Sequence, residues 1–140
     1  MARPAGIRIV VLVAVLLVPA CHRRTPQQER ASLCGDLGSL RATVTFLRAP
    51  DAAARVGEVR GDLDKIDPTV NRVHRSGVVD DALGQQLVDA QRMYHDRLNG
   101  VGDDDRFATV ADAADGEALW GAYEAVSEQL GCGASLGAGG

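Results

Sequence analysis

The sequence has few aromatic residues, and none of its segments alternates polar and apolar residues for long enough to form a β-strand. Aromatic residues make up 4% of the 140 residues, so a hydrophobic core must be built from leucine, valine and alanine. Because half-buried strands repeat with a period of two, the lack of alternation argues against a sheet. Apolar residues instead recur at spacings of three and four, which predicts an all-α fold.

The chain also lacks the basic stripe that nucleic-acid-binding proteins carry. Lys65 is its only lysine, and its formal net charge at pH 7 is −4. Removal of residues 1–20 would take away Arg3 and Arg8 and make the charge more negative still. We therefore expect no nucleic-acid partner.

The N-terminal apolar run is too short for a transmembrane helix. Residues 9–18 are continuously apolar, whereas a helix needs about 20 such residues to cross a bilayer. Arg3 and Arg8 precede this run and the small residue Ala20 follows it, in the order of charge, apolar stretch and cleavage site that secretory signals show. Residues 1–20 are therefore predicted to be a signal peptide.

This signal ends in a cysteine. The residues Val18-Pro19-Ala20-Cys21 resemble the lipobox of bacterial lipoprotein precursors, in which the cysteine receives a diacylglyceryl group and becomes the new N-terminus. The resemblance implies that Cys21 is lipidated and anchors the mature chain to membrane lipid, at the outer face of the cytoplasmic membrane. Pro19 departs from the lipobox pattern, and the spacing of Val18 and Ala20 also suits ordinary signal peptidase, so secretion without lipid is the alternative.

The cysteine count agrees with a lipid anchor. The chain has three cysteines, and an exported protein with an odd number leaves one thiol to be explained. If Cys21 carries lipid, Cys34 and Cys132 are left to form one disulfide in an oxidising compartment. The abundance of alanine, glycine, valine, arginine and aspartate is typical of GC-rich genomes and points to an actinobacterial source.

The mature chain is predicted to form one domain with short extensions. Residues 21–25 are the lipidated tether, residues 26–132 the helical bundle and residues 133–140 a flexible Gly-rich tail. This length is enough for a single hydrophobic core.

The first two helices carry boundary signals. Thr25, Pro26 and Gln28 match a capping box with proline at the first helical position. Asp51 is expected to cap the second helix, and Asp67-Pro68 is interpreted as a kink or a restart. The apolar stripes of these helices are Leu33, Leu37, Leu40, Val44 and Leu47, followed by Ala52, Val56, Val59, Leu63, Ile66, Val70 and Val73.

The third helix follows Ser76-Gly77 and ends at Asn99-Gly100. Asp103, Asp104 and Asp105 are expected to open the fourth helix, because acidic residues complement the dipole of a helix N-terminus. They lack the ligand spacing of a calcium loop. The inward residues are Val79, Leu83, Leu87, Ala90, Tyr94 and Leu98 in the third helix, and Phe107, Val110, Ala111, Ala114, Leu119, Tyr123, Val126 and Leu130 in the fourth.

The predicted disulfide discriminates between topologies. Cys34 lies near the start of the first helix and Cys132 just after the end of the last one. In an up-down bundle these two points share an end only if the number of helices is even, and a disulfide requires a Cα separation of about 4.4–6.8 Å. We therefore predict an up-down antiparallel four-helix bundle, stapled by a disulfide between the start of helix 1 and the end of helix 4.

No motif predicts a catalytic residue, a cofactor or a metal site. His74 and Tyr94-His95 could ligate haem or a metal in principle, but the Glu-x-x-His pairs of bundle metal sites are missing, and we expect His95 to be solvated beside Asp96. Trp120 is expected at the edge of the core, beside the stripe residue Leu119. If its side chain is instead exposed, Trp120 is the candidate partner contact, because tryptophan is enriched at binding hot spots.

The predicted export signal and lipid anchor, together with the lack of a catalytic motif, favour a non-enzymatic module of the cell envelope that interacts with another envelope protein. The alternative is a carrier of a small apolar ligand, such as a lipid or haem. A core of small alanine and valine side chains could open into a pocket for such a ligand.

Overall fold

The computed structural model describes residues 23–133 and confirms the all-α fold. The predicted signal peptide, Cys21 and residues 134–140 lie outside the described residues. Within residues 23–133 the chain forms four α-helices, one short 3₁₀ turn and no β-strand. The helices are α1 (Pro26–Arg48), α2 (Val56–Arg75), α3 (Asp81–Leu98) and α4 (Ala113–Leu130), and the 3₁₀ turn is Phe107–Thr109.

The helices form the predicted up-down antiparallel bundle. Each helix packs against the next one along the chain, and α4 returns to pack against α1. The apolar stripes meet in one core, and its most deeply buried large side chains come from all four helices. They are Leu33, Leu37, Leu47, Leu63, Ile66, Leu87, Tyr94, Leu98 and Leu119.

The start of α1 follows the predicted capping box. The Gln28 backbone N–H donates to Thr25 Oγ1 at 3.2 Å, and the Thr25 N–H donates to Gln28 Oε1 at 2.9 Å. Pro26 takes the first helical position, where its missing N–H has no intrahelical acceptor to lose. These contacts satisfy main-chain donors that a helix otherwise leaves free at its N-terminus.

The predicted start of the second helix is wrong. Asp51 closes a turn, in which its Oδ1 accepts a hydrogen bond from the Ala53 N–H at 2.9 Å, and Ala52 is exposed. Helix α2 begins at Val56 because its first N–H groups find acceptors in another loop. The Val56 N–H donates to the Asp105 carbonyl at 2.9 Å. The helix then continues through Pro68 to Arg75 as one element, so the chain does not restart there.

The predicted start of the fourth helix is also wrong. Asp112 caps α4 by accepting a hydrogen bond from the Ala114 N–H at 2.9 Å. The acidic run Asp103–Asp105 lies in the preceding loop, where its main-chain carbonyls accept hydrogen bonds from the first N–H groups of α2. Phe107 anchors that loop to the core, because its ring is buried and its ring centroid lies 6.0 Å from that of Tyr94. Two alanines that were expected to point inward, Ala111 and Ala114, are exposed.

Helices α1 and α4 approach closely at both ends of their contact. Near one end, the disulfide-bonded pair Cys34 and Cys132 has a Cα–Cα distance of 5.2 Å, as predicted. At the other end Gly116 packs against the last turn of α1. A Cβ atom on Gly116 would lie 2.4 Å from the Arg48 carbonyl oxygen and 2.8 Å from that of Leu47. Glycine is therefore required there by the approach of two backbones.

Two buried tyrosines hydrogen-bond to carbonyls of α1. The Tyr94 hydroxyl donates to the Leu47 carbonyl at 2.8 Å, and the Tyr123 hydroxyl donates to the Leu37 carbonyl at 2.5 Å. The Leu47 carbonyl lies in the last turn of α1, where main-chain acceptors have no intrahelical partner. Burial raises the pKa of both phenols, because the phenolate would lose its hydration.

Substitution of Gly116 by alanine should destabilise the bundle. The new methyl group meets backbone atoms that cannot rotate away, so α1 and α4 must separate, and overpacking of this kind costs about 1–3 kcal/mol. The matched control is Gly121→Ala in the same helix, because no atom outside the neighbouring helix backbone lies within 4 Å of its Cβ position. Alanine at this exposed helical position should stabilise by about 0.5–1 kcal/mol. Urea unfolding of both variants would measure these opposite signs, and an equal effect would contradict the close approach.

The stability of the bundle should fall at alkaline pH. Since folding raises the pKa of both tyrosines, their contribution is intact below the ordinary pKa of about 10 and is lost as the pH rises above it. The chain has two tyrosines, so tyrosinate absorbance reports only on them. We expect both tyrosines to ionise above pH 10 in the native protein and near pH 10 in urea. Ionisation at the ordinary pKa in the native state would contradict the burial of the hydroxyls.

Candidate functional site: the Trp120 groove

Trp120 lies at the edge of the core and remains partly exposed. It sits on α4 one residue after the buried Leu119, and its ring packs 5.9 Å from the ring of Tyr123, centroid to centroid. One side of the indole therefore belongs to the core, as the core-edge interpretation predicted. The other side faces the surface between α1 and α4.

A cation covers the outer side of the indole. The guanidinium carbon of Arg48 lies 5.2 Å from the centroid of the Trp120 ring. Arg48 is held there by Glu117, whose Oε1 accepts a hydrogen bond from Arg48 Nε at 2.8 Å. This hydrogen bond raises the pKa of Arg48 above its usual value. The contact is a cation–π interaction, worth about 0.5–1 kcal/mol at an exposed position.

The indole lines a groove between α1 and α4, which we call the Trp120 groove. It is open to solvent and has a volume of about 490 Å³. One wall carries Arg41 of α1, and the other carries Glu124 and Glu128 of α4. Trp120 and Tyr123 give it an apolar floor. A groove with an aromatic floor and walls of opposite charge suits a peptide segment that bears both apolar and charged side chains.

A second groove continues along the same face towards the disulfide. It has a volume of about 570 Å³ and shares Gly131 with the Trp120 groove. Its lining includes Arg30, Gly35 and Gly38 of α1 together with both disulfide cysteines. Small residues on α1 leave this surface shallow and accessible. The two grooves together give the α1–α4 face a continuous accessible strip.

The structure separates the histidines that sequence analysis considered together. His74 packs against α3, where a Cβ atom on Gly84 would lie 3.2 Å from its Nδ1. His95 is half-buried against α2, so its predicted position in solvent beside Asp96 is wrong. Its Nε2 lies 3.6 Å from Asp67 Oδ1 and 3.9 Å from Asp64 Oδ1. Sequence analysis missed this cluster because its members come from two helices and only the helix register brings them together.

The hydroxyl groups of two serines donate to main-chain carbonyls. Ser39 Oγ donates to the Asp36 carbonyl at 2.6 Å, and Ser76 Oγ donates to the Val73 carbonyl at 2.8 Å. Ser127 lines the Trp120 groove. A serine nucleophile needs a general base at hydrogen-bond distance, and the hydroxyls of Ser39 and Ser76 are directed to main-chain carbonyls instead.

The chain matches no protein-family model, no curated protein and no solved structure. Of the helices that the structure describes, none has the length and apolar character needed to cross a membrane.

Proposed function

We propose that the mature chain is a lipid-anchored, non-enzymatic accessory module of the cell envelope that holds a protein partner in the Trp120 groove. The observation that carries the proposal is the partly exposed indole of Trp120, which lines an open groove with charged walls. Tryptophan beside arginine is typical of the residues that dominate binding energies at protein interfaces. A groove of this kind gives a partner an apolar anchor point, and the charged walls give it orientation.

The packing of the core favours this module over a carrier of an apolar ligand. A carrier needs space between its helices, whereas the core side chains of all four helices are in contact and almost inaccessible. The Trp120 groove lies on the surface and is open to solvent. A surface groove suits a peptide or a protein better than an apolar molecule that must be shielded from water.

The anchor would hold the groove close to the membrane. Lipidation at Cys21 would leave a tether of only a few residues before α1 begins at Pro26. The end of α4 at Leu130 lies at the same end of the bundle, because the disulfide joins Cys132 to Cys34. Trp120 is ten residues before Leu130, which is about 15 Å along a helix. A membrane-associated partner would be within reach of the groove.

The proposed anchor predicts the intact mass of the protein from an envelope preparation. The denatured chain should begin at Cys21, be heavier by its acyl groups, and be lighter by two hydrogens for the disulfide. The matched control is Cys21→Ser, which removes the lipid acceptor and leaves Cys34 and Cys132 in place. We expect this variant in the soluble exported fraction. An unmodified Cys21 in the natural chain would contradict the anchor.

The proposed contact surface predicts where a partner crosslinks in cells. A photoreactive residue at Glu124, on the wall of the Trp120 groove, should give a discrete protein adduct. The control position is Arg92, which is exposed on α3 away from this groove. Adducts of equal yield at both positions, or no adduct at either position, would contradict the groove as the contact surface.

The native mass of the protein tests the alternative. An extra mass in the native protein that is lost on denaturation would support a carrier of an apolar ligand instead.

A further inference from the structure

We propose that Asp64, Asp67 and His95 form a binding site for a divalent transition metal, with zinc as its best match. Asp64 and Asp67 lie one turn apart on α2, and His95 lies on the neighbouring α3. One ligand atom from each residue falls within 4.8 Å of the other two. This α2–α3 site is independent of the Trp120 groove and of the function proposed for it.

The distances between the ligand atoms are close to those around a bound zinc ion. Zinc lies about 2.0–2.2 Å from nitrogen and oxygen ligands, which places neighbouring ligand atoms roughly 3–3.5 Å apart in a tetrahedral site. His95 Nε2 lies 3.6 Å from Asp67 Oδ1 and 3.9 Å from Asp64 Oδ1. Small rotations of the two carboxylates would close the remaining difference. The ligand atoms of Asp64 and Asp67 also lie within 4.8 Å of one another.

The second observation is the unsatisfied nitrogen of His95. Its Nε2 atom is inaccessible to solvent and makes no hydrogen bond within residues 23–133. A buried polar atom without a partner costs free energy, so such atoms are rare in folded proteins. A metal ion between His95 and the two carboxylates would satisfy this nitrogen.

A buried glutamine holds one of the proposed ligands in place. Gln91 lies one turn before His95 on α3 and is 5% exposed. Its amide nitrogen donates to Asp67 Oδ1 and to the Leu63 carbonyl, the latter at 3.3 Å. Metal-binding carboxylates are commonly oriented by hydrogen bonds of this kind, and such partners tune affinity. Gln91 therefore acts as a positioning residue for the α2–α3 site.

The donor set selects the class of metal. One imidazole nitrogen with two carboxylate oxygens suits zinc and other first-row transition ions, whereas calcium and magnesium prefer oxygen donors throughout. The side chain of Asp64 is 65% exposed, so the site opens to solvent on that side. Water would complete the coordination there. The ion would join α2 to α3, the helix pair opposite the disulfide-linked pair α1 and α4.

Calorimetric titration of zinc into the disulfide-intact mature protein without a histidine tag would test the site. We expect one ion per chain, and a rise in melting temperature with zinc. The Asp64→Asn and His95→Ala variants should each bind at least about tenfold more weakly, since even residues that only orient a ligand change affinity 10–100-fold. Asp64 is exposed, so its variant should fold normally.

The matched control is His74→Ala, which removes an imidazole whose Nδ1 is also unsatisfied but which is not part of the cluster. Zinc affinity should be unchanged in this variant. Proton NMR of the natural chain should show the imidazole signals of His95 shifting with one equivalent of zinc. An absence of stoichiometric binding would overturn the proposal, and so would binding that Asp64→Asn and His95→Ala leave intact.

Discussion

The contact between α1 and α4 closes the bundle, and the other helix contacts depend on it. The Cys34–Cys132 pair joins these helices near one end, and the glycine at 116 lets their backbones touch at the other. Both tyrosine hydroxyls also donate hydrogen bonds to main-chain carbonyls of α1. In a core with so few aromatic side chains, these specific contacts add to the burial of leucine and valine. The Trp120 groove lies on the outer side of this same helix pair.

Sequence reasoning predicted the helices well because their signals are local. The Thr25 capping box and the three-four spacing of leucine and valine act within a few residues. A Cys34–Cys132 disulfide requires both cysteines at the same end of the bundle, which an up-down bundle allows only with an even number of helices. The helix starts after Asp51 and Asp103 were predicted wrongly for a physical reason. Aspartate caps a turn or a helix equally well. The choice was made by hydrogen bonds between the two distant loops, such as the one from Val56 to Asp105.

The candidate sites were harder to predict, because they depend on the rotation of one helix against another. Sequence analysis identified Trp120, but nothing local indicated that Arg48 and Glu117 would meet across α1 and α4 above the indole. The α2–α3 site was equally impossible to predict from local sequence. The spacing of Asp64 and Asp67 is visible in the sequence, but the position of His95 opposite them follows only from the packing of α3. A ligand set drawn from two helices has no sequence motif.

The closure of this small four-helix bundle rests on one covalent link between its first and last helices. The link spans 98 residues, and constraining a loop of that size in the unfolded chain is worth up to about 4.7 kcal/mol. The most direct test is urea unfolding of the native protein beside its Cys34→Ser/Cys132→Ser variant. We predict a stability loss of several kcal/mol with the helical content of the folded variant unchanged. Equal stability of the two proteins, or reaction of two thiols in the native chain, would contradict the account.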